Sequence, residues 1–184
     1  MADFFERLDR RLIRFIEAQK IFFTATAPAE GRINLSPKGM DTLRVLGGDR
    51  LAYLDLTGSG NETAAHLRED PRMTLMVCSF DRSPMILRVY GRGSVAERGS
   101  ERYGELAVRF EDLPGARQII ELEVDSVQTS CGYAVPRMDF VEERQMLRQW
   151  AEKKGPDGIV EYRRANNTRT IDGRPTGHPD EDGD

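Results

Sequence analysis

The stretch with the clearest chemical potential is a run of small and polar residues, TGSGNET (57–63), between a predicted strand and a predicted short helix. Its glycines let the backbone turn tightly and approach a ligand closely, and the free N–H groups at a helix N-terminus attract anions. Hydroxyls of Thr57, Ser59 and Thr63 and the amide of Asn61 would add hydrogen bonds. The run therefore predicts either a phosphate cradle or an ordinary strand-to-helix turn, since it matches neither the P-loop nor the dinucleotide fingerprint.

A second set of polar residues lies on a short segment earlier in the chain. Asn34, Ser36 and Lys38 alternate with Ile33 and Leu35, as on a strand whose side chains point to opposite faces in turn. The polar face would line a site for a polar cofactor if it met the cradle. The alternative is a strand edge that faces solvent.

Three further residues have types that often carry chemistry. Arg88 lies inside the apolar strand segment 85–90, where a charge is costly to bury unless it is paired, so it either meets an anion or points to solvent. Cys131 belongs to an irregular segment, SCGYAVP (130–136), and is either a reactive thiol or a structural cysteine, since no histidine lies near it to activate it. His66 is interpreted as a packing or capping group.

Composition limits the class of protein. The 184 residues carry a formal net charge of −4, and this mild acidity argues against nucleic acid as a partner because phosphate contacts need a basic surface. Two cysteines and two histidines exclude a disulfide scaffold and a multi-histidine metal centre. No apolar run reaches the roughly 18 residues of a membrane span, and no signal peptide is recognised. We expect a cytoplasmic protein without a metal or a membrane partner.

The elements that must position these residues are mostly strands. Alternating or β-branched segments predict six of them: 21–26, 32–36, 51–57, 73–80, 85–90 and 119–127. An amphipathic helix is predicted within 1–19, and later helices are predicted at 61–69, 101–110 and 140–154. The region 172–184, rich in Gly, Pro and Asp, is predicted to be a disordered tail.

In this order the residues resemble those of the pyridoxamine 5′-phosphate oxidase-like, FMN-binding split-barrel family. The resemblance covers roughly 20–175, and its specific part runs from Arg32 to Gly91. The segment RINLS (32–36) matches a family strand that carries an arginine and then flavin contacts. The threonine that ends LDLT (54–57) matches one that faces FMN, and Arg88 matches a strand that supplies a further contact.

The resemblance implies a mainly β fold with α additions: a six-stranded antiparallel split β-barrel over 20–171 that includes the C-terminal helix. It also implies a homodimer with FMN at each of two subunit interfaces, and an FMN-dependent oxidoreductase acting on a small molecule. No catalytic residue is identified, and Tyr133 is expected to stack near the flavin ring. The expected cofactor-binding residues are Arg32, Asn34, Ser36, Lys38, Thr57, Ser59, Asn61, Thr63, Arg88 and Tyr133.

The sequence also departs from the family pattern. Glu62 and Thr63 stand where the true oxidases have an Arg-Lys pair for the FMN phosphate, and Ile86 stands where a glutamine is expected. The substrate-binding Arg-x-His near the C-terminus has no counterpart before the tail. These departures argue against oxidation of pyridoxine phosphate itself. They leave open a deazaflavin or haem as cofactor, and a non-catalytic flavin-binding or sensor protein.

Overall fold

The computed structural model describes residues 2–177, and across them the chain forms eight strands and four helices. The elements are β1 (Asp3–Phe5), α1 (Arg10–Ala18), β2 (Phe22–Thr26), β3 (Asn34–Lys38), β4 (Leu43–Val45), β5 (Arg50–Leu56), α2 (Glu62–Glu69), β6 (Arg72–Cys78), β7 (Ile86–Glu97), α3 (Glu101–Ala107), β8 (Ala116–Ser130) and α4 (Met146–Asn166). The mainly β fold with helical additions is confirmed. All six predicted strands form, and the three-residue strands β1 and β4 bring the number in residues 2–177 to eight.

The sheet is antiparallel throughout and is organised around the long strand β8. Its order is β3-β2-β6-β7-β8-β5-β4, with β1 also paired to β8. One edge of β8 pairs with β7 along almost its whole length, while β5 and β1 pair with its first and last parts respectively. Because β8 belongs to both halves of the sheet, the strands curl around an apolar core, the larger of two clusters of buried apolar residues.

The first helix closes this core, although it is shorter than the sequence pattern suggested. Asp9 caps α1 by accepting a hydrogen bond from the Leu12 backbone N–H at 2.8 Å, and Leu12 and Ile16 are buried in the core. Phe4 and Phe5 fit the helical stripe but form β1 instead, with Phe5 opposite Val127 of β8. An available sheet edge outweighs the local helical spacing here.

The close contact between β7 and β8 depends on a glycine. The register between these strands shifts between Tyr90 and Gly91, which marks a β-bulge. A Cβ atom at Gly91 would lie only 1.8 Å from the backbone oxygen of Glu123. The position therefore has no room for any side chain.

The late part of the chain differs most from expectation. The predicted helix 140–154 is wrong in its bounds: residues 140–145 are not helical, and α4 continues beyond Gly155 to Asn166. Gly155 adopts a φ of 68°, and Pro156 follows it, so the helix is kinked there and resumes. No helix in residues 2–177 has the length and apolar character needed to cross a membrane.

After α4 the chain forms a short hairpin, residues 168–176, here called the C-terminal hairpin. Thr170 N–H donates to the Arg174 oxygen at 2.8 Å, and Arg169 pairs with Pro175 across the hairpin. Thr176 is fully buried. The tail predicted from residue 172 therefore begins with packed residues, and its remainder, 178–184, lies outside the described residues.

Candidate functional site

A cavity of about 760 Å³ lies between β3, the loop after β5 and the C-terminal hairpin. Its volume is within the range of small-molecule sites. Seven of the ten predicted cofactor-binding residues line it: Arg32, Asn34, Ser36, Lys38, Ser59, Asn61 and Thr63. Its charged lining residues are Arg32, Lys38, Arg117, Arg169, Asp55 and Glu62. Basic residues outnumber acidic ones, so the lining favours an anionic ligand.

The floor of the cavity is a buried network centred on the carboxylate of Asp55, which is 2% exposed. Lys38 Nζ donates to Oδ1 at 2.8 Å, and Arg117 donates to Oδ2 through Nε at 3.0 Å and Nη2 at 2.7 Å. Gln118 Nε2 also donates to Oδ2, at 2.9 Å. Four donors fix the carboxylate from three different side chains.

This arrangement keeps both partners charged. Burial alone would raise the pKa of Asp55, but the charges of Arg117 and then Lys38 outweigh burial and hold that pKa well below its usual range. Burial alone would lower the pKa of Lys38, but the attraction of Asp55 raises it above 10.5. Burial raises the pKa of the neighbouring Tyr53 to about 12. The floor is therefore an ion pair beside a neutral phenol at neutral pH.

The same network also holds the loop that contains residues 57–63, here called the cradle loop. Arg117 Nη1 donates to the backbone oxygen of Gly60 at 2.9 Å, and Asn167 Nδ2 donates to that of Gly58 at 3.0 Å. Gln118 Nε2 donates to Asn61 Oδ1 at 2.8 Å. Asn61 is 2% exposed, and its Nδ2 finds no acceptor among the described residues. A buried donor without a partner is costly, so a ligand acceptor is expected at this lining residue.

Polar residues of β3 join this loop directly. Ser36 Oγ donates to Asn34 Oδ1 at 3.0 Å, and Asn34 Nδ2 donates to Thr63 Oγ1 at 3.1 Å. The two polar clusters of the sequence are therefore neighbours across the cavity. Ile33 and Leu35 are largely exposed at the same wall.

The acidic residue Glu62 has a structural partner. Its Oε1 accepts a hydrogen bond from the backbone N–H of Ile171 at 3.0 Å. On the other wall, Asp172 Oδ2 accepts from the backbone N–H of Arg32 at 2.8 Å, and the two side chains form an ion pair. The C-terminal hairpin thus bridges the start of α2 and the approach to β3, with Arg169, Thr170 and Ile171 lining the cavity.

Three predicted cofactor-binding residues do not line this cavity. Thr57 is buried, donates its hydroxyl to the Gly115 oxygen at 2.8 Å and accepts from Arg163 Nε at 2.8 Å. Arg88 Nη1 lies 3.4 Å from Ser130 Oγ on the neighbouring strand. Tyr133 is 82% exposed.

Sequence reasoning missed the two residues that organise the floor. Asp55 lies in the predicted apolar strand 51–57, as Arg88 lies in 85–90, and a buried charge there requires a partner. Arg117 lies just before the predicted strand 119–127 but inside β8. The signal was present for Asp55, but its partnership with Arg117 spans 62 residues of sequence and could not be read from spacing. Arg169 was missed because nothing local indicated that the C-terminal hairpin folds back on the cavity.

The antiparallel, curled sheet defines the class of protein as a small β-barrel with helical additions. The family model for pyridoxamine 5′-phosphate oxidase matches residues 8–131, and the chain belongs to this family. It is 39% identical over 196 residues to the pyridoxamine 5′-phosphate oxidase family protein ustO of Aspergillus flavus, covering 97% of this chain and 79% of that protein.

Solved structures show the same fold. A candidate pyridoxamine 5′-phosphate oxidase from Lactobacillus delbrueckii aligns with a TM-score of 0.55 and 21% identity over 67% of this chain and 94% of its own. HupZ from Group A Streptococcus aligns with a TM-score of 0.50 and 14% identity over 65% and 92%. The FAD binding protein of Mycobacterium smegmatis aligns with a TM-score of 0.50 and 11% identity over 68% and 97%. The predicted split-barrel fold is confirmed.

Proposed function

We propose that the protein binds FMN in this cavity and is an FMN-dependent oxidoreductase acting on a small molecule. The observation that carries the proposal is the buried Asn61 Nδ2, which has no acceptor among residues 2–177 and belongs to a lining residue at the start of α2. A phosphate presents only acceptors to such donors, and the helix N-terminus favours its charge. Membership of the family supports the same ligand class.

The lining residues suit the parts of FMN in different ways. Ser59, Asn61 and Thr63 would bind the phosphate, and Lys38 would supply a positive charge. Asn34 and Ser36 would meet the ribityl chain or the ring edge. Bound flavin supplies the redox chemistry, and the protein binds and orients it.

The proposal includes a homodimer whose second copy completes the site. Two predicted contacts, Arg88 and Tyr133, do not line the cavity of their own chain, so they would act on the site of a partner. Ile33 and Leu35 are 75% and 65% exposed on the edge strand β3 and its approach, where an apolar contact would cover them. Sedimentation equilibrium of the purified protein tests this part, and a monomer at micromolar concentration would contradict it.

The cytoplasmic location expected from the sequence also belongs to the proposal. Cys78 and Cys131 are both free thiols in the structure. Free thiols suit a reducing compartment.

FAD is a second candidate, because the Mycobacterium smegmatis neighbour is described as an FAD binding protein. Haem is not favoured by the described residues: His66 is 1% exposed, shares its Nδ1 with the Thr26 hydroxyl at 3.1 Å and does not line the cavity. The other histidine, His178, lies outside the described residues.

Titration with separate cofactors tests the proposal. Purified protein is mixed with FMN, FAD, a deazaflavin or haem, and binding is followed by absorbance and by flavin fluorescence. We expect the tightest binding for FMN, and reduction of the bound FMN by a nicotinamide or another reductant followed by reoxidation by a small-molecule acceptor. Tighter binding of another cofactor would show that this cofactor, and not FMN, is the ligand. Bound FMN that never turns over would support a non-catalytic sensor protein.

Changing one amide to a carboxylate tests the phosphate position. We expect Asn61→Asp to weaken FMN binding by about tenfold or more, because an oxygen with negative charge replaces the unpartnered Nδ2. The matched control is Asn166→Asp, at an exposed position in the last turn of α4. Isothermal titration at neutral pH measures both, and equal affinity of the Asn61 and Asn166 variants would place the phosphate elsewhere.

A further inference from the structure

We propose that Asp55 is the positioning residue of the cavity: its buried carboxylate keeps the Lys38 ammonium charged and in place on the cavity floor, ready for an anionic group of the ligand. The inference rests on the proposed function for the identity of that ligand as FMN. Asp55 acts here through Lys38 and not by its own contact with the ligand, to which a carboxylate would be repulsive.

Geometry gives Asp55 a fixed place. Arg117, Gln118 and Lys38 donate to its two oxygens at 2.7–3.0 Å, and the Asp55 side chain is 2% exposed. Arg117 is itself held by the Gly60 oxygen and by Asn167 Oδ1 at 2.8 Å. A carboxylate fixed by Arg117 and Gln118 holds its remaining partner, Lys38, in one position.

Lys38 needs this partner to remain an ammonium. Its side chain is only 24% exposed, and the groups that face it are Asp55 and Tyr53 from β5 and Arg117 from β8. Tyr53, whose ring lies 5.5 Å from Nζ, favours the charge of Lys38, and Arg117 disfavours it. Asp55 is the strong counter-charge, so its removal would leave burial and Arg117 acting against the proton.

The charge state of Lys38 determines how many hydrogen-bond donors, and which charge, the cavity floor presents to a ligand. An ammonium has three donors, and the Asp55 bond uses one of them. Lys38 lines the cavity, so the other donors are available to a ligand oxygen. A neutral amine on the floor would lose the electrostatic attraction for a phosphate.

NMR of the lysine side chains, combined with FMN affinities measured over a pH series, tests whether Asp55 keeps Lys38 charged. The chain has four lysines, so ¹³Cε-lysine labelling gives four signals, and Lys38→Gln identifies the relevant one. FMN affinity is measured between about pH 7.5 and 9.5 for the wild type, for Asp55→Asn and for Asp70→Asn. Asp70 is the matched control, because its carboxylate binds Arg72 and does not line the cavity.

We expect the wild-type Lys38 signal to stay in its charged position to about pH 10. In the Asp55→Asn protein it should titrate within the pH series, and the FMN dissociation constant should rise about tenfold more across the series than in the wild type or the Asp70 variant. A Lys38 signal that titrates below about pH 9 in the wild type, or an Asp55 variant with the pH profile of the wild type, would overturn the inference.

Two further measurements decide the question if the Asp55 variant does not fold or if the protein binds no FMN. If Asp55→Asn does not fold, the wild-type NMR titration still decides the charge state. Lys38→Gln then decides its effect: about tenfold weaker FMN binding at pH 7.5 supports the inference, and unchanged binding contradicts it. If the wild type binds no FMN, the proposed function fails alone, and inorganic phosphate replaces FMN as the probe in the same series.

Discussion

Replacing Arg117 by methionine is expected to lower the free energy of unfolding by about 3–5 kcal/mol, the cost of breaking a buried ion pair from one side. The guanidinium is 4% exposed and donates two hydrogen bonds to Asp55. Methionine leaves that carboxylate with Lys38 as its only cation. It also frees the Gly60 oxygen and Asn167 Oδ1 from their donor. We therefore expect a loss of stability together with a loosened cradle loop.

Urea unfolding followed by circular dichroism measures this change. The matched control is Arg92→Met, at an exposed position of β7, which should alter the free energy of unfolding by no more than about 0.5 kcal/mol. Equal effects of the two substitutions would show that the buried pair contributes nothing to stability.

The same pair gives a pH dependence with a defined sign. The pKa of Asp55 is lower in the folded than in the unfolded chain, so its contribution is complete above the unfolded value of about 3.9 and is lost as pH falls toward the folded value. The difference between the wild type and Arg117→Met should therefore be largest at neutral pH and shrink below about pH 4. A difference that grows on acidification would contradict this account.

Substituting Gly91 by alanine is expected to destabilise the fold by about 3 kcal/mol or more, since added volume in a packed core costs this much. The new Cβ atom would meet the Glu123 backbone oxygen at 1.8 Å and the Leu122 side chain at 3.1 Å. The obstacle is backbone on the central strand β8, which pairs on both edges. It cannot rotate aside as a side chain would, so β7 and β8 must separate locally.

Gly104→Ala is the matched control, at an exposed position within α3 where nothing lies within 4 Å of the added atom. Alanine is about 0.8–1.0 kcal/mol better than glycine inside a helix, so this variant should be more stable than the wild type. Thermal unfolding of both proteins makes the comparison. If Gly91→Ala melted at the wild-type temperature, the tight bulge would not be a requirement of the fold.

The sheet could be predicted because its strands carry their own signal. Segments such as 73–80 and 119–127 are β-branched or alternate, and these local properties coincide with the final structure. The strand β1 could not be predicted, since Phe4 and Phe5 suit a helical stripe and only the free edge of β8 decides otherwise. The helix α4 resumes after Gly155 because Pro156 is compatible with the first turn of a new helical segment.

The candidate site could be predicted only where its residues are close in sequence. The cradle loop and the polar face of β3 were recognised from residue types, and the structure joins them through Asn34 and Thr63. The network on the cavity floor could not be predicted, because Asp55 and Arg117 become neighbours only when β5 pairs with β8. A charged residue in an apolar strand indicates that it has a partner, but the pairing of the strands determines which residue that partner is.

The C-terminal hairpin has a consequence for biosynthesis. Asp172 of this hairpin binds Arg32, a lining residue 140 positions earlier in the chain. At roughly 5–20 residues per second, the ribosome adds Asp172 about 7–28 s after Arg32, when every strand of the sheet has already been synthesised. A nascent chain can therefore assemble its barrel while one wall of the cavity is still missing, so the full lining of the cavity is present only after the C-terminal hairpin has been synthesised.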